Sequence, residues 1–359
     1  MKKILSSLLM LCGLTGLSIT HAVATPLVIG GKNFTEQLLI STMTAQYLQA
    51  QGYEVQLKNG LGSTLMRSAL ESRQLDIVWE YTGTSLIVYN HVEDKLDAAE
   101  AYARVKALDA RIGLVWLNES ALNNTYAFAM PRKVAKANNV HTLSDLGRLI
   151  RQRQAAGPWP GVGVDFEFGS RPDGLLPMQQ LYGFKLKRSE IKQMDPGLVY
   201  TALRNRQLLA GLTYSSDGRI QGFDLTLLED DLGYFAPYKA TPVVRADVLA
   251  QHPQLADQLN ALSAVIDTKK MSELNKRVDI DQEPISQVAH DFLQQQGLLS
   301  DTTGKPDAPI APAEPVVPAV PSEAVVPAPV AEPAPAPAPA PKGAPVIGND
   351  SNQANGSTP

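Results

Sequence analysis

Short apolar runs that end in glycine or turn residues alternate with helical stretches through most of the chain, and this alternation limits the possible folds more than any other feature. Residues 27–31 predict a strand, and the helix after it places Leu39, Met43 and Tyr47 on one face. The alternation continues, with another strand predicted at residues 76–81 that runs into a Thr-Gly-Thr turn. This pattern is typical of a sheet with helices packed on its faces, so we expect an α/β fold.

Local signals divide the chain further. Asn33 and Glu36 have the spacing of a capping box, which predicts the start of the first helix. A strand near Tyr126 stops at a proline, and a second series of strands and helices follows it. We interpret residues 151–160, rich in Arg, Gln, Gly and Pro, as a surface loop. Two such α/β blocks fit two domains better than one core, which indicates a two-lobed protein with a ligand cleft between the lobes.

The N-terminus has the features of an export signal. Two lysines precede an apolar run over residues 4–19, and an A-x-A site follows at residues 22–24. This run is shorter than a spanning helix needs. We therefore predict a cleaved signal peptide over residues 1–24. Cys12 raises the alternative of a lipid anchor, but a leucine precedes it where a small residue is expected.

Composition excludes several classes of function. The formal net charge is −4, and the loss of Lys2 and Lys3 with the signal makes it more negative, so nucleic-acid binding is not expected. The single cysteine lies in the predicted signal, so the exported chain depends on its core instead of disulfides. No second long apolar run predicts a membrane span.

The last segment of the chain differs sharply in composition. From residue 305 onward there are 15 of the 26 prolines, mixed with alanine and valine. Such a sequence has no means to bury a core, so we expect residues 301–359 to form a disordered, polyproline-biased tail. A spacer from the cell surface is one hypothesis for its role, and a tail without a specific partner is the other.

A search for catalytic motifs finds none. The histidines after the signal stand alone, without the H-E-x-x-H spacing or cysteines that a metal site needs. No G-x-S-x-G elbow, P-loop or dinucleotide fingerprint occurs. We therefore expect no enzyme activity, no metal and no cofactor.

Tyrosines stand out instead. Tyr81, Tyr126, Tyr214 and Tyr238 each lie at or near the end of a predicted strand, beside turn residues. Tyrosine is often half-buried for packing alone, but four in equivalent settings favour a cluster of aromatic faces. Aromatic faces attract a cation that has no hydrogens to donate, and quaternary ammonium is the obvious guest.

A zwitterionic ligand also needs groups that hold its carboxylate. Arg171 lies in a glycine-flanked loop and has the planar fork that suits a carboxylate. Lys32 lies where a strand meets a helix N-terminus, and Thr84 offers a hydroxyl. A surface ion pair is the alternative reading of Arg171.

Seven motifs, in order, resemble those of the glycine betaine/choline-binding proteins of osmoprotectant ABC importers. The resemblance covers about residues 27–299, and its motifs are Gly31-Lys32-Asn33-Phe34-Thr35-Glu36-Gln37, Glu80-Tyr81-Thr82-Gly83-Thr84, Asn124-Thr125-Tyr126-Ala127, Arg171-Pro172-Asp173-Gly174, Asp217-Gly218-Arg219-Ile220, Leu228-Glu229-Asp230-Asp231 and the run from Pro237-Tyr238 to Val244-Arg245. It implies a type II periplasmic binding protein fold, with two lobes joined by two crossing strands. Lobe 1 would comprise residues 26–129 and 234–300, and lobe 2 residues 130–233.

The same resemblance implies a periplasmic location and a role in transport. The protein would act as a monomer that passes its ligand to an ABC permease with its ATPase. The four tyrosines would enclose the trimethylammonium group, Thr84, Lys32 and Arg171 would hold the carboxylate, and Gln37 is a further candidate. Trp79 stands where many relatives have proline, so its place in or behind the pocket is an open question.

Three alternatives remain from the sequence. One is a binding protein of the same fold for another small polar solute. Another is an exported enzyme, and the third is an interaction or scaffold protein that works through its tail.

Overall fold

The computed structural model describes residues 25–299, so the predicted signal peptide and the predicted tail lie outside the described residues. Its strands are β1 (Leu27–Lys32), β2 (Val55–Leu61), β3 (Ile77–Tyr81), β4 (Leu114–Trp116), β5 (Tyr126–Pro131), β6 (Val162–Val164), β7 (Ile191–Gln193), β8 (Ala210–Tyr214), β9 (Leu225–Leu228) and β10 (Ala240–Arg245). Its helices are α1 (Thr35–Ala50), α2 (Ser63–Glu71), α3 (Thr82–Thr84), α4 (Ala98–Ala110), α5 (Arg132–Ala137), α6 (Leu143–Ala156), α7 (Phe166–Ser170), α8 (Leu175–Leu181), α9 (Pro196–Arg204), α10 (Arg219–Gly222), α11 (Ala246–Gln251), α12 (Leu255–Val265), α13 (Thr268–Asp279) and α14 (Ile285–Gln295). A π-helical turn (Ser85–Tyr89) follows α3, and a 3₁₀ turn (Arg188–Glu190) precedes β7.

The strands form two five-stranded sheets of the same design. The first has the order β2-β1-β3-β10-β4 and the second the order β7-β6-β8-β5-β9. In each sheet three neighbouring strands are parallel, and the next strand, β10 in the first sheet and β5 in the second, runs antiparallel to them. The chain enters β10 and β5 directly after it has passed from the other sheet. We call the first sheet with its helices lobe 1 and the second lobe 2. The α/β class expected from the alternation is confirmed.

The chain passes between the lobes twice, and the two passages are hydrogen-bonded to each other. The Asn124 amide donates to the carbonyl of Tyr238 at 3.0 Å, and the Tyr238 amide donates to Asn123 Oδ1 at 2.8 Å. Asn123 and Lys239 form an isolated antiparallel bridge. Because both passages lie side by side, residues 123–126 and 237–239 form a narrow connection beside the cleft.

Two local expectations were wrong. Helix α1 begins at Thr35 after an extended Phe34, without a side-chain cap, because Glu36 turns away from the helix end to hydrogen bonds inside the protein. Residues 151–156 are helical instead of a loop, since α6 runs on to Ala156. Leu149 and Ile150 bury one face of that helix, and it ends at Gly157, whose φ of 121° suits glycine.

The largest hydrophobic core runs through both lobes and includes the strand that carries Tyr81. In β3 all five residues are buried, as expected for a central strand covered on both faces. Trp79 is fully buried and donates its indole N–H to Thr44 Oγ1 of α1 at 2.9 Å. It therefore packs behind the pocket against α1, which answers the question that the sequence left open.

Candidate functional site

A cavity of about 180 Å³ lies between the lobes. Groups from both sheets and from the connection between the lobes line it. Its lining residues are Lys32, Asn33, Phe34, Gly62, Ser63, Tyr81, Thr84, Asn124, Tyr126, Asp165, Phe166, Glu167, Asp195, Pro196, Tyr214 and Tyr238. Six of the eight predicted site residues are among them; Arg171 and Gln37 are not.

The four predicted tyrosines meet at this cavity because of where their strands end. Tyr81 closes β3, Tyr126 opens β5 and Tyr214 closes β8, opposite Tyr126 in the antiparallel pair. The Tyr126 ring lies 5.5 Å from that of Tyr214 and 5.2 Å from that of Tyr238, centroid to centroid. The rings of Tyr126, Tyr214 and Tyr238 are therefore neighbours, and Tyr81 lines the same cavity.

Phe34 adds a fifth ring that sequence reasoning missed. It stacks on Tyr214 with centroids 5.1 Å apart and planes 9° apart, and it lies 6.3 Å from Tyr81. Phe34 occupies the turn between β1 and α1, the same strand-end setting as the tyrosines. The Gly31 to Gln37 motif contains this ring, and its setting at a strand end is the signal that predicts a lining role for Phe34 as it does for the tyrosines.

Three of the cage phenols donate their hydroxyl hydrogens to carboxylates. Tyr81 Oη is 2.6 Å from Glu36 Oε1, and Tyr214 Oη is 2.7 Å from Asp165 Oδ2. Tyr238 Oη is 2.7 Å from Asp173 Oδ2. These bonds fix the rotation of each ring.

The electrostatics of these pairs keep the protons on the phenols. Burial raises the pKa of Tyr81 and of Tyr214 well above the usual range, and the neighbouring Glu36 or Asp165 raises it further. Burial also raises the pKa of the Glu36 carboxyl, opposed by hydrogen bonds from Ser216, Tyr81 and Asn124.

The Lys32 ammonium lies beside the cage, already paired. Its Nζ is 2.7 Å from Glu80 Oε1, and both side chains are buried. The same Nζ lies 5.1 Å from the centroid of the Tyr81 ring. Lys32 therefore presents its positive charge next to an aromatic face, with one of its donors taken by Glu80.

Arg171 reaches the site from lobe 2. Its guanidinium binds Asp173 through two bonds of 2.8 and 2.7 Å, and Nη1 donates to Thr84 Oγ1 at 3.3 Å. Nη2 donates to Tyr238 Oη at 3.0 Å. The Cζ atom lies 5.3 Å from the centroid of Tyr126. Arg171 thus lies behind the residues that line the cavity, and it is hydrogen-bonded to two of them, Thr84 and Tyr238.

Gln37 supports the cage instead of lining the cavity. It is fully buried, and its Nε2 donates to Tyr81 Oη at 3.0 Å and to the carbonyl of Trp79 at 3.1 Å. Its Oε1 accepts from the Lys32 amide at 3.3 Å. The side chain therefore orients Tyr81, and the structure places it behind that ring.

Asn124 is a further lining residue outside the predicted set, although its motif was noted. Its Nδ2 donates to Glu36 Oε1 at 2.9 Å. Its Oδ1 is buried and has no hydrogen-bond partner among residues 25–299. One buried oxygen of this lining residue is therefore left without a partner among the described residues.

The described residues contain neither a metal site nor a membrane-spanning helix. Within the described part of the chain, no group of three or more His, Cys, Asp and Glu side chains has the arrangement of a metal site. Of the helices between residues 25 and 299, none is long and apolar enough to cross a membrane.

Two five-stranded sheets of mixed direction, joined by two crossings with an aromatic pocket between them, define a substrate-binding protein of the type II periplasmic class. The chain belongs to the family described as the substrate binding domain of the ABC-type glycine betaine transport system, which matches residues 25–295. The resemblance found in the motifs is thereby confirmed, and this protein is a substrate-binding protein for an ABC importer.

Individual relatives agree. The chain is 50% identical over 304 residues to the glycine-betaine-binding protein of Pseudomonas aeruginosa, covering 84% of this chain and 97% of the relative. It resembles the structure of apo YehZ from Escherichia coli with a TM-score of 0.56 and 31% identity, over 77% of this chain and all of the other. The structure of a glycine betaine/carnitine/choline ABC transporter protein aligns with a TM-score of 0.61 and 29% identity, over 76% of this chain and 99% of the other.

Proposed function

We propose that this protein captures a quaternary ammonium osmoprotectant, with glycine betaine as the ligand that fits best, and delivers it to an ABC permease driven by an ATPase. One observation carries the proposal: five aromatic rings surround a cavity that also borders two buried cations. The rings attract a trimethylammonium group at about 0.5–2 kcal/mol each. Lys32, Arg171 and Thr84 would hold the carboxylate of the same ligand.

The spacing of these groups favours a short zwitterion. Arg171 Cζ lies 5.3 Å from the centroid of Tyr126 and 5.7 Å from that of Tyr238, and Lys32 Nζ lies 5.1 Å from that of Tyr81. The cationic groups therefore adjoin the cage directly. Glycine betaine has a single methylene between its two charged groups, whereas carnitine separates them further, so the shorter molecule matches better. The name of the Pseudomonas aeruginosa relative supports the same ligand.

A specific observation favours choline as the second candidate. Both cations have carboxylate partners, Glu80 for Lys32 and Asp173 for Arg171. A ligand carboxylate has to share these cations, and sharing reduces the gain from each ion pair. Choline carries the same head group without a carboxylate, so it can bind without sharing either cation.

The remaining expectations belong to the same proposal. The protein would be an exported, periplasmic monomer without enzymatic activity, as the signal sequence and the family suggest. The sequence predicted lobe boundaries at residues 129/130 and 233/234. Strand pairing favours a change near residue 125 and a return near residue 239 instead, because β5 pairs with β8 and β9 while β10 pairs with β3 and β4.

Calorimetric titration with glycine betaine, choline, carnitine and proline tests the proposal. We expect heat from glycine betaine and from choline, weaker binding of carnitine and none of proline. Strong binding of proline with no heat from any trimethylammonium compound would contradict the aromatic cage and favour another small polar solute. Consumption of a betaine or choline ester by the purified protein would instead indicate an enzyme.

A further inference from the structure

Three carboxylates accept hydrogen bonds from the cage phenols, and they differ in whether a cationic side chain is paired with them. Asp173 accepts from Tyr238, but it also binds Arg171 through two bonds, so its charge is compensated. Glu36 and Asp165 accept from Tyr81 and Tyr214, and neither forms an ion pair with any Lys or Arg of residues 25–299. Two carboxyl groups without a cationic partner in this part of the chain therefore stand directly behind two rings of the cage.

Both groups are deeply buried and surrounded by donors. Glu36 is 2% exposed and accepts from Tyr81 Oη, Asn124 Nδ2 and Ser216 Oγ at 2.6, 2.9 and 2.5 Å. Asp165 is 3% exposed and accepts from the Phe168 amide at 2.6 Å and from Tyr214 Oη at 2.7 Å. Burial raises the pKa of both carboxyls, and the hydrogen bonds donated to them oppose this shift by favouring the ionised form.

An ionised acceptor behind a phenol changes what the ring attracts. A phenol that donates to a carboxylate shifts electron density into its ring, and hydrogen bonds in series polarise one another. The carboxylate charge also acts on the cavity directly, with little screening by water. Both effects stabilise a positive guest, and neither stabilises an uncharged guest of the same shape.

We propose that Glu36 and Asp165 are charge-specificity determinants of the cage, which act through Tyr81 and Tyr214 to favour a permanent cation over a neutral molecule of equal size. This inference rests on the proposed function and deepens it. Glu36 does not line the cavity, so it acts through Tyr81, whereas Asp165 both supports Tyr214 and forms part of the wall.

A structural role for the same two residues has to be separated from this one. Asp165 is also the N-cap of α7, and Glu36 also links α1 to Ser216 of lobe 2. Asp165→Asn keeps an accepting oxygen and a residue that caps helices equally well, so it is the variant least disturbed in structure. Glu36→Gln keeps the length of the side chain and removes the charge, and it replaces one of the two accepting oxygens with a donating NH2 group.

The test uses choline and its uncharged carbon analogue 3,3-dimethylbutan-1-ol, which differ by one charge. Affinities of both are measured for the wild type, for each variant and for the double variant at one mildly alkaline pH, because alkaline conditions oppose the protonation that burial favours. We expect the ratio of choline to analogue affinity to fall about tenfold in each single variant. Circular dichroism confirms that each variant is folded.

The control is Asp267→Asn. Asp267 caps α13 by accepting from the Lys270 amide at 2.8 Å, so the same chemical change is made outside the cavity, and the ratio is expected to stay unchanged. Equal losses for both ligands in Asp165→Asn would show a purely structural role and overturn the inference, as would an unchanged ratio. If the wild type binds no quaternary ammonium compound at all, the proposed function itself fails.

Discussion

Phe34 of lobe 1 stacks on Tyr214 of lobe 2, with ring centroids 5.1 Å apart and planes 9° apart. The stack crosses the cleft at the cavity, so it joins the two lobes where the ligand would bind. An aromatic pair of this geometry contributes about 0.5–1.5 kcal/mol beyond the area that it buries. The Phe34 ring therefore lines the cavity and also holds a contact between the two lobes.

Phe34→Leu is expected to weaken glycine betaine binding by about 1–2 kcal/mol, because the apolar volume stays while the aromatic face and its stack on Tyr214 are lost. Calorimetry measures the affinity. Tyr53→Leu is the control, since its ring contacts His252 away from the cavity. Unchanged affinity in Phe34→Leu would exclude this ring from the cage.

Tyr126→Ala is expected to cost about 1–3 kcal/mol of binding energy, the sum of a lost cation–π face and lost packing. Tyr126 is central among the rings, since Phe168, Tyr214, Phe235 and Tyr238 all lie within 6.3 Å of it. Tyr81→Ala should have an effect of similar size. Tyr102→Ala, on α4, provides the comparison, and an equal loss there would point to general destabilisation.

Arg171→Lys is expected to weaken glycine betaine binding by about 1–3 kcal/mol, because lysine lacks the planar fork with which Arg171 binds a carboxylate, as it does Asp173. Choline has no carboxylate, so its binding is expected to stay nearly unchanged. Titration with both ligands separates the two effects.

The matched control is Arg245→Lys, which removes a similar two-bond pair with Asp247 far from the cavity. Equal loss of choline and glycine betaine affinity in Arg171→Lys would show that Arg171 holds the wall together and does not read the carboxylate.

Glu36 also makes a prediction about pH. Burial raises the pKa of its carboxyl in the folded protein, so the folded state holds this proton at pH values where the unfolded chain has released it. Lowering the pH from the raised folded value towards the ordinary glutamate value therefore stabilises the wild type, and the same contribution is lost as the pH rises. Glu36→Gln does not titrate there and lacks this contribution.

Urea unfolding over this pH range measures the difference in free energy between wild type and Glu36→Gln. We expect the difference to shift in favour of the wild type as the pH falls. The exposed Glu54→Gln gives the baseline. A difference that stays constant with pH would mean that the pKa of Glu36 is the same in both states.

The sequence by itself determined the class of fold and predicted a set of site residues, most of which line one cavity. Alternating strands and helices require a sheet with helices on its faces, and a strand that ends at a turn delivers its last side chains to one edge. For this reason Tyr81, Tyr214 and Thr84 could be expected at one edge, and with Lys32 they line one cavity; their role in binding stays a prediction. The predicted capping box at Glu36 does not form. Its spacing from Asn33 is a short-range signal, and Glu36 instead accepts hydrogen bonds from donors that are distant in the sequence.

Only the tertiary structure decided which polar groups meet. Glu36 bonds to Tyr81, 45 residues away, and to Ser216, 180 residues away, and Arg171 bonds to Thr84, 87 residues away. No periodicity encodes such pairs, because they join elements that are distant in the chain and meet only in the folded protein. The chemistry of the pocket could thus be predicted from strand ends, whereas the carboxylates behind its rings were placed by packing within each lobe, and the Glu36–Ser216 and Arg171–Thr84 bonds by the packing of one lobe on the other.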